Sequence, residues 1–75
     1  MDISKYQFEI KRHALYRAVK KGLDEDIIER MLKTAEVKRF GKHGVKFINR
    51  GSKRTIVCVG EIIGTKIKII TVEEK

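Results

Sequence analysis

Cysteine is almost missing from this chain: Cys58 is the single one among 75 residues, so an internal disulfide is excluded. Cys58, His13 and His43 also fail to form any metal-ligand spacing, which leaves no zinc site to expect. No apolar run approaches the roughly 20 residues of a membrane span. The first eleven residues lack the apolar core of a secretory signal. These absences predict a soluble, cytoplasmic protein without a membrane contact, and no cofactor is implied. Proline is absent. Asn49 and Gln7 are the sole residues of their types, and with abundant Lys, Glu and Ile this resembles the composition of heat-adapted proteins. Aromatics are sparse at 7%. In the C-terminal half only Phe40 and Phe47 occur, too few for a platform on which single-stranded bases would stack. Acidic residues are the last scarcity. Ten Asp plus Glu face eighteen Lys plus Arg, a formal net charge of +8.

So large a positive field on so short a chain attracts phosphate backbones and acidic proteins. The competing reading is a solvated surface whose charge serves solubility. Seventy-five residues make one domain, 1–75, with a core that is barely sufficient, so a homodimer is a natural expectation.

Tyr6, Phe8 and Ile10 alternate with polar residues and predict a short strand, with Ser4 as an alternative helix cap. Ala14, Leu15, Ala18 and Val19 recur at helical spacing from Arg12 to Lys21, and Gly22 ends that helix. Asp24 reads as the N-cap of a second helix. Glu25 and Asp26 stand in its first turn, and Ile27, Ile28, Met31 and Leu32 supply its buried stripe. The period then changes. Residues 36–40, 45–50, 54–61 and 65–72 read as strands separated by glycine-bearing turns. Short connections make them antiparallel neighbours. The predicted architecture is α+β, two helices on one face of a C-terminal antiparallel meander.

Side chains alternate along a strand, so Arg54, Ile56 and Cys58 share one side, and Lys66, Lys68, Ile70 and Val72 share one side. In simple register Lys46, Ile48 and Arg50 would join both sets. Lys46, Arg50, Arg54, Lys66 and Lys68 are therefore expected to gather on a single wet, positive face able to bind RNA. Only Glu36 and Glu61 lie inside the predicted sheet to oppose them. Such contacts are electrostatic and weaken steeply with salt. Phe47 has the opposite parity to Lys46 and reads as core.

His13 and Arg17, four apart, occupy one helix face. There a histidine can act as a base while the guanidinium grips a phosphate. A histidine satisfied at the helix start and a solvated arginine is the alternative. His43 reads as a surface turn residue. Cys58 reads as a small buried hydrophobe.

The string His13-Ala14-x-x-Arg17, the helix opening Gly22-Leu23-Asp24-Glu25-Asp26-Ile27 and the terminal Ile69-Ile70-Thr71-Val72 resemble a family of small bacterial and archaeal domains. Their H-A-x-x-R helix and I-I-T-V strand are similar in layout to RelE/ParE- and BrnT-type toxins. This chain has Lys21 where the family often has Arg, and Glu73 where an aromatic often follows. The resemblance implies a strand, two helices and a curved antiparallel sheet. It further implies a metal-independent mRNA endoribonuclease acting on RNA or the ribosome and neutralised by an acidic antitoxin. His13 and Arg17 are the positions that match the motif, and they become the candidate catalytic residues. The alternative is a non-catalytic basic module that binds an acidic protein.

Overall fold

A computed structural model describes residues 3–75; the first two residues of the expected domain lie outside the described ones. After a short 3-10 turn at Ile3–Lys5, the chain forms β1 (Gln7–Ile10), α1 (Arg12–Lys20) and α2 (Glu25–Thr34). Four strands follow: β2 (Glu36–Phe40), β3 (Gly44–Arg50), β4 (Thr55–Ile63) and β5 (Lys66–Glu74). The order across the sheet is β1-β5-β4-β3-β2. The meander β2 to β5 is antiparallel, as its short turns require, whereas β1 runs parallel to β5. A parallel neighbour needs a long crossover. The two helices provide it, carrying the chain from one edge of the sheet to the other.

Both helices lie on the same side. Ala14 and Ala18 of α1 pack with Ile28 and Leu32 of α2 against Val45, Phe47, Ile56, Cys58, Ile67, Ile69 and Val72. The two alanines, both fully buried, let α1 pack close to β5. Phe8 meets Phe47 edge to face, with centroids 5.9 Å apart.

The helix boundaries follow from local chemistry. The Asp24 carboxylate accepts from the Ile27 N–H at 2.9 Å, capping α2. At the end of α1, Leu23 N–H donates to the Ala18 carbonyl and Gly22 N–H to that of Val19, at 2.9 and 3.0 Å. This pairing is a Schellman motif, and it sets Gly22 at φ 81°. A Cβ at Gly22 would meet nothing within 4 Å, so alanine costs backbone strain alone. Gly22→Ala is expected to destabilise the fold by about 1 kcal/mol, a melting temperature lowered by roughly 4–8 °C in a calorimetric scan.

Two expectations about sheet parity fail. Arg50 opposes Thr55 and Ile48 opposes Val57, so Ile56 and Cys58 point to the helices, not to the side of Lys46. Arg54 precedes β4 and goes with them: its guanidinium donates to the Lys21 carbonyl at 3.2 Å and lies 3.6 Å from Glu74. It braces the end of α1. The second correction comes from a bulge at Val59/Gly60, which shifts the pairing with β5 by one residue. Lys66, Lys68 and Ile70 stay on the outer side, while Val72 turns into the core at 1% exposure. Gly60 is required there, because a Cβ would come within 2.8 Å of the Lys68 carbonyl oxygen.

Candidate polyanion interface

The outer face of the sheet carries Lys46, Arg50, Lys66 and Lys68, joined by Lys38 of β2. It also carries Glu9, Glu36, Glu61 and Glu73, and the sequence reading foresaw only two of those carboxylates within the sheet. Glu36 pairs with Arg50 and lies 3.9 Å from Lys38. The hydrogen bond from Arg50, then its charge, hold the Glu36 carboxyl below the usual range. Lys68 lies 3.7 Å from Glu9 and opposite Glu61 in register. Lys46 rests its ammonium 5.4 Å from the Phe40 ring centre. Five cations against four acids leave this face within one charge of neutrality. Nearly all of the +8 lies elsewhere.

Much of it is on α1 and its flanks. From Lys11 to Lys21 the chain has five cations and no carboxylate. Among the described residues, none of Lys11, Arg12, Arg17, Lys20 and Lys21 forms an ion pair. The reason is periodicity: Ala14 and Ala18 take the buried stripe, so Arg12, His13, Tyr16, Arg17 and Lys20 turn to solvent. His13, Tyr16, Arg17, Lys20 and Lys21 line an open cavity of about 370 Å³. His13 and Arg17 thus meet on one surface. Tyr16 is 59% exposed, with the Lys20 ammonium 4.5 Å from its ring centre.

Tyr16, Lys20 and Lys21 are not among the site residues expected from the sequence, although Lys21 stands at a position of the resembled motif. The signal is an eleven-residue acid-free run with one aromatic between cations, a pattern carried by a helix rather than by the alternation of the strands. His43 lies exposed in the β2–β3 turn, and its carbonyl accepts from the Ile62 N–H at 2.8 Å. Cys58 is 2% exposed, and burial pushes its thiol up to about 11, so it stays protonated and inert at neutral pH. Among the described residues no group of three or more His, Cys, Asp or Glu comes together as a metal site, and no helix is long and apolar enough to cross a membrane.

Two helices covering one side of a five-stranded mixed sheet make this an α+β fold. The structure is similar to that of BrnT, a ribonuclease toxin of Brucella abortus, with a TM-score of 0.66 over 93% of this chain and 96% of that one. Sequence identity is 15%, so the likeness is one of fold. No protein-family model matches the chain, and no curated protein matches it in sequence.

Proposed function

We propose that this chain is an RNA-binding, toxin-like domain that cleaves RNA without a metal and is held in check by an acidic partner. The observation that carries the reading is the acid-free surface of α1, where unpaired cations surround His13 and Arg17 on a BrnT-like fold. A phosphodiester backbone releases counterions when it meets such a surface. The alternating face of the sheet offers less, since each phosphate there would compete with a carboxylate already in place.

In this reading Arg17 grips two phosphate oxygens with its planar fork. His13, one turn away, takes the proton of the adjacent 2′-hydroxyl as that oxygen attacks phosphorus; the bond from phosphorus to the 5′-oxygen breaks, leaving a 2′,3′-cyclic phosphate, and the departing 5′-oxygen takes a proton from water. Lys20 and Lys21 stabilise the charge that develops on the phosphorane. The exposed ring of Tyr16 offers a flank for a base.

The test is direct. Labelled single-stranded RNA titrated by fluorescence anisotropy should bind with an affinity falling steeply between 50 and 200 mM salt. Incubation in excess EDTA should yield cleavage products, and His13→Ala should slow cleavage by about 10² or more while leaving affinity nearly unchanged. RNA binding without any cleavage would favour the non-catalytic module that docks an acidic protein. Absence of binding at low salt would end the RNA reading altogether.

A further inference from the structure

The side of the sheet turned away from the helices is more than a charged surface. Its centre is apolar: Ile48, Val57, Val59 and Ile70 adjoin, and Val57 is only 7% exposed although, among the described residues, no helix or strand lies over this side. Phe40, 44% exposed, extends this patch toward the β2 edge, and with Val59, Gly60 and Ile70 it lines a shallow hollow of about 330 Å³. Around that centre both signs of charge alternate. In one row across the strands stand Glu9, Lys68 and Glu61; in another stand Glu73, Val57, Ile48 and Glu36.

We propose that this face docks a second copy of the same chain, sheet against sheet, about a two-fold axis. Charge selects the occupant. A strongly acidic partner or a nucleic acid gains little from a face within one charge of neutrality and finds far more on α1. A second copy, itself +8, is not repelled at this nearly neutral face, which unlike the acidic start of α2 at Asp24, Glu25 and Asp26 also offers it an apolar centre. A two-fold contact also needs a self-complementary patch. An apolar centre with a rim of alternating Lys and Glu satisfies this, because each copy presents both signs to the other.

Area is sufficient. A stable interface buries about 800 Å² per partner, roughly a sixth of the 5131 Å² surface of this chain. Five strands about 4.8 Å apart make a face about 24 Å across, and its longer strands run about 30 Å. Docking there leaves both α1 surfaces outward, at opposite ends of the dimer. The proposal therefore stands apart from the RNA reading.

Sedimentation equilibrium on the full chain over a range from micromolar to millimolar checks it. The mass should rise to that of a dimer, and raising salt to 0.5 M should leave the association largely intact because its centre is apolar. Val59→Asp and Phe40→Asp should each weaken association at least tenfold, with circular dichroism verifying the fold. Should Val59→Asp fail to fold, Phe40→Asp at the exposed margin still decides the matter. A monomer throughout, or a dimer indifferent to the folded variants, overturns the proposal. So does a loss of RNA affinity in these variants without any change of mass, which would hand the face to nucleic acid.

Discussion

Reversing Arg17 and Lys20 together, as Arg17→Glu with Lys20→Glu, is expected to weaken binding to single-stranded RNA by on the order of a thousandfold at low salt. Two attractive contacts disappear and two repulsive ones replace them, each worth about a kilocalorie per mole against a phosphate backbone, and about 1.4 kcal/mol is tenfold. The slope of log affinity against log salt should flatten by about 0.7 for each contact removed. Both side chains are solvent-exposed and, among the described residues, neither forms an ion pair, so the fold should persist in circular dichroism; carboxylates in the last turn of α1 and loss of the Lys20 contact with Tyr16 should lower the melting temperature by a few degrees, roughly. The matched control is Lys46→Glu with Lys66→Glu on the sheet. If the control loses affinity as severely and the α1 variant does not, the interface belongs to the sheet and the assignment to α1 is wrong.

That control matters because the sequence placed the anion surface on the strands. The elements themselves were legible. Asp24 as a cap, Gly22 as a stop and the switch from helical to alternating period each reflect chemistry local to a few residues, and the structure has the corresponding elements within a residue or two. Phe47 and Cys58 were legible as core because alternation fixes which side of a strand they share. What local pattern does not contain is the relation between strands. A four-residue connection from Gly51 to Arg54 sets Arg50 opposite Thr55, and the bulge beside Gly60 shifts the pairing with β5 by one residue. Either feature moves side chains across the sheet, and neither leaves a mark on the alternation of a single strand. The neutralising acids were hidden for the same reason. Glu9 sits on a strand whose partner is some sixty residues away, and it reaches Lys68 only because β1 pairs in parallel with β5.

The same register makes the centre of the core predictable in its response to truncation. Phe47 is 1% exposed, lies beside Cys58 on β4 and Val37 on β2, and meets the Phe8 ring across the sheet. Phe47→Ala is expected to cost 3–5 kcal/mol, roughly, from lost burial and the cavity left behind. A domain of this length holds only about 4–11 kcal/mol in total. The variant should therefore melt at least about 15 °C lower than the parent and populate the unfolded state visibly in mild urea. Val19→Ala removes an apolar side chain of α1 that is 57% exposed and should change stability by less than about 0.5 kcal/mol. Were the two variants to unfold at similar denaturant concentrations, Phe47 would not be the keystone between the helices and the sheet. Alpha-1 would then lack the rigid support that fixes His13 and Arg17 on one surface.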